Sequence, residues 1–214
     1  MLVLWRTSMT TQQTAVNPTV LILCDGSFGR MTAIARAAAE GARAAGAKPI
    51  IKRVGGIVDP SDEEGCDLGG QFAPSATIND LEEVDAVLVS AGTSYGRLTT
   101  HMAAFLDQVL DLSDRSMIVG KPGGAIVSAG KQPGGEEGTF ISLVANLMQL
   151  GMVIVSAPSG PPDVPERDGM FPQHTKRVPD FEGEEPWAER QDQQLVQAYR
   201  LGSRIAMAAV KLAA

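Results

Sequence analysis

The chain has 214 residues, with 18 Lys and Arg against 25 Asp and Glu, so its formal net charge is −7. Its 44% hydrophobic and 20% charged residues are typical of a folded globular protein and exclude a largely disordered chain. No apolar run reaches the roughly 20 residues of a membrane span, the acidic balance argues against a nucleic-acid partner, and Cys24 and Cys66 are too few for a disulfide framework or a zinc site.

Residues 1–18 are expected to form a loose, disordered extension. The apolar start, Met1 to Trp5, is followed by a mostly polar stretch, and the basic-then-apolar pattern of a signal peptide is missing. Met9 is therefore an alternative natural start to Met1. A reduced, cytoplasmic setting is the expectation for such a chain.

Short apolar runs then alternate with helical patterns. Thr19–Cys24 reads as a strand buried on both faces, because it is almost continuously apolar and is bounded by Pro18 and Asp25-Gly26. A helix over Met31–Ala45 and a strand over Pro49–Val54 follow. The stretch from Gly55 to Asn79 is rich in Gly, Asp, Pro and Ser, which predicts a long surface excursion.

The same alternation continues to the C-terminus. In chain order the pattern predicts a strand at Asp85–Ser90, a helix at Leu98–Leu110, a strand at Gly123–Ser128, a helix at Thr139–Leu150, a strand at Met152–Ser156 and a closing helix at Ala188–Leu212. Strands that alternate with helices imply right-handed βαβ units and a parallel sheet. We therefore predict one α/β domain over 19–214, with an irregular Pro-rich segment over 158–187.

Ligands bind an open parallel sheet beyond the carboxyl ends of its strands. The first loop at such an end, Asp25–Thr32, runs from a buried strand into a helix and carries two glycines, hydroxyls and Arg30. Main-chain N–H groups and the helix N-terminus make it a candidate phosphate cradle. The alternative is an ordinary strand-to-helix turn, since neither a Walker A nor a GxGxxG pattern is present.

Two more loops share that edge of the predicted sheet. Ala91–Arg97 offers hydroxyls, main-chain groups and the Tyr95 ring, which suits the edge of a planar heterocycle; the alternative is a turn whose Tyr covers the strand end. The glycines of Ser128–Thr139 suggest close approach of a ligand; the alternative is a flexible connector in which Glu136 and Glu137 stabilise the next helix start.

Together these loops resemble the flavodoxin-like WrbA family of NAD(P)H:quinone oxidoreductases. The resemblance runs from about Thr19 to Val155 and resumes in the last helix. The most telling stretches are Ala35–Ala42 (ARAAAEGA), Phe105–Gln108 (FLDQ), Gly134–Thr139 (GGEEGT), Leu150–Val155 (LGMVIV) and Ala208–Leu212 (AAVKL). It implies a five-stranded parallel sheet in the order 2-1-3-4-5 with helices on both faces, bound FMN, and a homo-oligomer, either dimer or tetramer. It also implies hydride transfer from NAD(P)H through the flavin to a quinone or a similar acceptor.

The chain departs from the family pattern at the flavin site. The family has a Ser or Thr at Gly26, an Arg at Ser94 and a Trp at Ser113, and its active-site His-His pair corresponds to Gln149-Leu150 here. Asp25 precedes the phosphate loop, where a negative charge would oppose a phosphate.

Other polar residues are weighed singly. We read His101 as a solvent-facing helix residue rather than a proton donor, and His174 as a surface residue rather than a replacement for the family His. Cys24 is expected to act as a small apolar residue, and the acidic surroundings of Cys66 argue against a nucleophile. Trp187 is expected to pack at a subunit interface rather than over a flavin, and Asp107 to be structural.

Two main hypotheses result. In the first, the chain is an FMN-dependent oxidoreductase whose chemistry belongs to the cofactor, with no catalytic residue and no metal assigned. The residues assigned to cofactor binding are Gly26, Ser27, Phe28, Gly29, Arg30 and Met31 at the phosphate, Gly92, Thr93, Ser94, Tyr95 and Gly96 along the ring, and Ser128, Ala129, Gly130, Gly134 and Gly135 at its other edge. In the second, the protein has lost FMN and serves as a binding or assembly subunit; a flavoprotein with altered chemistry is a further alternative.

Overall fold

The computed structural model describes residues 17–25, 29–55, 73–110, 117–129, 135–157 and 185–213, with the backbone alone over 29–30 and 185–192. Its strands are β1 (Thr19–Asp25), β2 (Lys48–Val54), β3 (Ala86–Ser94), β4 (Arg97–Leu98), β5 (Pro122–Ser128) and β6 (Val153–Ile154). Its helices are α1 (Gly29–Ala44), α2 (Thr100–Leu110), α3 (Glu136–Gln149) and α4 (Glu185–Leu212), with a short 3₁₀ helix at Ile78–Leu81.

The strands form one sheet in the order β2-β1-β3-β5-β6, with all of these pairs parallel. The predicted doubly wound sheet with five parallel strands is therefore confirmed. One strand was not predicted: β4 pairs antiparallel with the end of β3, and it spans the last residue of the expected loop and the first residue of the expected helix. β3 runs on to Ser94 because the hairpin partner supplies hydrogen bonds after the parallel neighbours have ended.

Both faces of the central strands are buried, which explains their continuous apolar sequence. In β1, Val20, Ile22 and Cys24 pack in the core layer beneath α1 and α4, and Leu21 and Leu23 in the layer beneath α2 and α3. Cys24 is fully buried, as expected of a small apolar residue. Because every parallel strand points the same way, β1, β3 and β5 all end at one edge of the sheet.

The two helices on the first face approach each other at glycines. A Cβ added to Gly41 of α1 would lie 1.9 Å from the carbonyl oxygen of Tyr199, and one added to Gly202 of α4 would lie 2.0 Å from that of Ala38. The backbones of α1 and α4 are therefore in direct contact. This contact fixes where α1 starts relative to the carboxyl edge of the sheet. None of the described helices is long and apolar enough to cross a membrane.

Candidate functional site

The three predicted loops do start from neighbouring strand ends. Cys24 of β1 is in register with Ser90 of β3, and Gly92 of β3 with Ser128 of β5. The segments after Asp25, Gly92 and Ser128 thus leave the sheet side by side. This edge, which we call the carboxyl edge, is the start of all three candidate segments.

The first segment ends in the N-terminus of α1. Gly26, Ser27 and Phe28 lie outside the described residues, and α1 begins at Gly29 and Arg30. Met31 is buried in the core, so it can offer only its main chain to a ligand. The first turn of α1 holds no acidic residue, whereas that of α3 holds Glu136 and Glu137. The positive end of the α1 dipole is therefore not neutralised within its own helix, as an anion site requires.

Asp25 does not project toward that helix end as a free charge. It is 1% exposed, and its Oδ2 accepts a hydrogen bond from Thr99 Oγ1 at 2.6 Å. Gly92 N–H donates a second hydrogen bond to it. Thr99 in turn accepts a hydrogen bond from Met102 N–H at 3.2 Å, so it caps α2 and binds Asp25 with the same hydroxyl.

Burial raises the pKa of the Asp25 carboxyl above its ordinary value. The hydrogen bonds from Thr99 and Gly92 and the charge of His101 oppose this effect without overcoming it. The expectation that Asp25 simply repels a phosphate is therefore incomplete, because the carboxylate is turned into the protein and is partly neutralised by donors from the neighbouring segment.

The second segment is a β-hairpin rather than a loop. Ser94 pairs with Arg97, and the two residues between them, Tyr95 and Gly96, have φ values of 54° and 81°. Two positive φ angles are what a two-residue type I′ turn requires. Tyr95 is the one described residue other than glycine with a positive φ, and its side chain is fully exposed at the hairpin tip.

The hairpin is fastened to the start of α3. Thr93 Oγ1 lies 2.7 Å from Thr139 Oγ1, and Thr139 donates a hydrogen bond to Gly135 O at 3.0 Å. A Cβ added to Gly135 would lie 2.6 Å from the Cα of Gly96, so the two backbones touch. Thr93 and Gly96 therefore hold the hairpin in place through contacts with α3, which leaves the Tyr95 ring as the group presented outward.

Hydrogen bonds connect the start of the third segment to α4 and α3. Ser128 is buried, and its hydroxyl lies 3.2 Å from Gln194 Oε1 of α4. Ala129 N–H donates a hydrogen bond to Glu136 Oε1 at 2.8 Å. Glu136, in the first turn of α3, therefore connects the two ends of the third segment. Gly130 and Gly134 lie outside the described residues.

Sequence reasoning missed Thr99 and Thr139. Thr99 carries a readable signal, because a Thr just before a helical pattern is a typical N-cap. Thr139 carries none, because only the fold brings it to Thr93.

The remaining single residues stay apart from one another. His101 is exposed on the first turn of α2, as expected, and Asp107 is exposed on the same helix. Leu150, which replaces a family His, is buried in the core and offers no proton donor. Cys66, Ser113 and His174 lie outside the described residues, as does the side chain of Trp187. Within the described part of the chain, no group of three or more His, Cys, Asp or Glu could hold a metal ion.

The donor set at the carboxyl edge fits a ligand with an anionic end and a planar aromatic end. The acid-free N-terminus of α1 suits the anion, and the exposed Tyr95 ring and the main chain of the hairpin suit the aromatic part. Asp25 lies between the two, turned inward.

Comparison with known proteins places the chain among flavin proteins. The sequence profile of the family described as NADPH-dependent FMN reductase matches residues 18–160. The chain is 46% identical over 140 residues to an NAD(P)H dehydrogenase (quinone) of Paraburkholderia phymatum, covering 65% of this chain and 70% of that protein. It is 38% identical over 197 residues to a protein of the same name from Nitrobacter winogradskyi, covering 90% and 98%.

Solved structures are similar in fold. A flavodoxin, WrbA-like protein from Agrobacterium tumefaciens superimposes with a TM-score of 0.59 at 18% identity, covering 91% of this chain and 98% of that one. A flavodoxin from the domain Archaea superimposes with a TM-score of 0.53, also at 18% identity, covering 92% and 99%. Both likenesses support the flavodoxin-like architecture.

Proposed function

The chain belongs to the NADPH-dependent FMN reductase family, and from that premise we propose that it is an FMN-dependent oxidoreductase that passes a hydride from NAD(P)H through the flavin to a quinone. The observation that carries the proposal is the 38% identity over 197 residues to the Nitrobacter winogradskyi protein named NAD(P)H dehydrogenase (quinone), which extends over 98% of that protein. The geometry of the carboxyl edge supports the same conclusion.

The residues present fit FMN. The N-terminus of α1, from Gly29 and Arg30, would hold the phosphate together with Gly26, Ser27 and Phe28. The hairpin would line the ring, with Tyr95 against or beside it, and the segment from Ser128 to Gly135 would cover the other edge. When bound, FMN supplies the hydride-accepting and hydride-donating chemistry of the two half-reactions. The protein's part is to orient the ring and leave one face open to both substrates in turn.

A titration tests this proposal. Flavin-stripped protein is mixed with FMN, and flavin fluorescence is followed; saturable binding is expected. The loaded protein should then oxidise NADH or NADPH in the presence of benzoquinone, with ping-pong kinetics. Absence of FMN binding would favour the alternative, a flavodoxin-like binding or assembly subunit. Binding without quinone reduction would point to a flavoprotein with different chemistry.

A substitution at Tyr95 separates the effect of this residue on FMN binding from its effect on the stability of the fold. Tyr95→Asn is expected to stabilise the apoprotein by about 1 kcal/mol, because Asn-Gly suits a type I′ turn and Tyr strains it. The same variant is expected to bind FMN roughly tenfold more weakly, because an aromatic stacking contact is worth about 1–3 kcal/mol. Thermal unfolding and an FMN titration measure the two effects. Unchanged FMN affinity with an unchanged flavin spectrum would remove Tyr95 from the ring site.

We also propose that the protein is a homo-oligomer built on the outer surface of α3. The exposed apolar side chains of this surface are Phe140, Ile141 and Met148 of α3 and the neighbouring Val119 and Val153. We call these five residues the α3 face. No charged residue occurs between Glu137 and Asp163. Two copies with a net charge of −7 repel each other, so a helix that carries no charged residue after its first turn is where they can meet. A cytoplasmic location also remains a proposal, supported by the low cysteine count of the chain, which has Cys24 and Cys66 alone.

Ile141→Glu tests the α3 face. Ile141 is 67% exposed, so the substitution should be tolerated by the fold, but it places two carboxylates in any symmetric interface. The mass measured by light scattering should fall to that of the monomer. Met207→Glu is the matched control, since it adds the same charge at an exposed apolar residue of α4, on the opposite side of the sheet. An identical mass for both variants would contradict the proposal.

A further inference from the structure

Asp25 is an unusual residue to find at this place. It ends β1, is 1% exposed, and stands directly before the segment that would hold the phosphate. Both of its hydrogen-bond donors, Thr99 and Gly92, belong to the neighbouring segment, beyond the end of the β1–β3 pairing. Its carboxylate therefore joins the phosphate segment to the stretch of chain that carries the hairpin. Within the described residues, neither of the two salt bridges involves it.

The fold keeps this carboxylate at a cost in stability. Because burial raises the folded-state pKa of Asp25 above its unfolded value, its contribution to stability is fully present below the unfolded pKa and is lost as pH rises through the folded pKa. Above the folded-state pKa, the ionised form of Asp25 therefore lowers the stability of the fold. Buried titratable groups with shifted pKa values that are retained at such a cost cluster at functional sites.

Resting on the proposed function, we propose that Asp25 is a positioning residue that links FMN binding to the uptake of one proton. In the proposed function the phosphate is held by the segment that directly follows Asp25 in the chain, and a negative charge brought near a carboxylate favours its protonated form. On binding, a proton from solvent converts the carboxylate to the carboxylic acid, and no other bond forms or breaks. Asp25 keeps its place between Thr99 and Gly92, so the hairpin stays fixed in both states.

The surrounding charges set the direction of the effect. Among the described residues, His101 on α2 is the group whose charge acts on Asp25 through space, and it favours the ionised form. The other groups near this edge, element by element, are Arg53 on β2, Arg97 on β4, Glu136 on α3, the uncharged Gln194 on α4, and Arg30 on α1, whose side chain is not described. Arg97 is exposed and donates to Leu98 O, and Glu136 is engaged by Ala129 N–H.

The test is FMN binding as a function of pH. FMN dissociation constants are measured by fluorescence for the full chain and for Asp25→Asn, from about pH 5 to about pH 8. Calorimetry in buffers of different ionisation enthalpy then counts the protons taken up. Free FMN titrates with a second phosphate pKa of about 6, and this contribution of the free ligand is the same for both proteins. The difference between the two profiles therefore reports Asp25 and its interaction with the bound phosphate.

Above the Asp25 pKa, the FMN affinity of the native protein is expected to fall by up to about tenfold per pH unit relative to that of Asp25→Asn. On binding FMN, the native protein should also take up one proton more than Asp25→Asn does. His101→Gln should move this dependence to higher pH, because it removes a charge that favours ionised Asp25. Should Asp25→Asn fail to fold, Thr99→Val removes one donor and should also move the dependence upward, while Thr99→Ser should restore it.

Identical pH profiles and identical proton uptake for the native protein and Asp25→Asn would overturn the inference while leaving the proposed function standing. Absence of FMN binding by the native protein at every pH would instead overturn the proposed function, and this inference with it.

Discussion

Gly202→Ala is expected to destabilise the protein by about 3 kcal/mol, although it replaces the poorest ordinary helix former with the best one. Helix propensity alone would favour Ala by about 1 kcal/mol. The added Cβ, however, would lie 2.0 Å from the carbonyl oxygen of Ala38, a backbone atom of α1 that no side-chain rotation can move. The two helices must separate, and the buried residues between them lose their contacts.

The measurement is chemical denaturation followed by circular dichroism, with the free energy of unfolding extrapolated to water. Gly55→Ala is the matched control, because an added Cβ there meets nothing within 4 Å and the φ is not positive. Its effect should stay within about 0.5 kcal/mol. Equal stability of the two variants would mean that α1 and α4 are not in backbone contact. Since this contact also sets the position of the α1 N-terminus, Gly202→Ala should weaken FMN binding too.

Gly135→Ala is expected to weaken FMN binding at least tenfold and to cost about 2–3 kcal/mol of stability. Two causes act together at this residue. Its φ of 79° is in the left-handed region, where a side chain costs about 1–2 kcal/mol. The new Cβ would also lie 2.6 Å from the Cα of Gly96 and 2.9 Å from its nitrogen. The hairpin must then move away from α3, and the Tyr95 ring moves with it.

Gly138→Ala serves as the control for that variant. Gly138 lies in the first turn of α3, and its added Cβ would be 3.4 Å from Gly96 O, close to ordinary contact. Its stability should be unchanged or raised by up to about 1 kcal/mol through helix propensity. FMN titration and thermal unfolding of both variants separate a displaced hairpin from a general effect of adding methyl groups to this segment. Native-like FMN affinity in Gly135→Ala would show that the hairpin position does not matter for the flavin.

The sequence was sufficient for the parallel sheet because its signals are local. β1 and β5 are short, apolar and bounded by turn residues. The burial of such a strand on both faces can be predicted from its apolar composition alone. The resemblance to the WrbA family supplied the strand order, since periodicity gives the elements but not their neighbours. Element ends moved by a few residues, as with α2, which starts at Thr100 rather than Leu98, because caps and hairpins rather than hydrophobic period decide where a helix begins.

By itself, then, the sequence determined the type and chain order of the four helices and the five parallel strands, and it predicted which strand ends would be followed by candidate ligand-binding segments. The tertiary structure alone decided how the polar groups at that edge are used. From sequence, Asp25 is expected to oppose a phosphate, a glycine inside a helix such as Gly202 is ordinarily destabilising, and Thr139 carries no signal. The first is turned inward by Thr99, the second lies against Ala38, and the third bonds Thr93. All three roles depend on contacts between residues that are far apart in the chain, so they cannot be predicted from local sequence patterns.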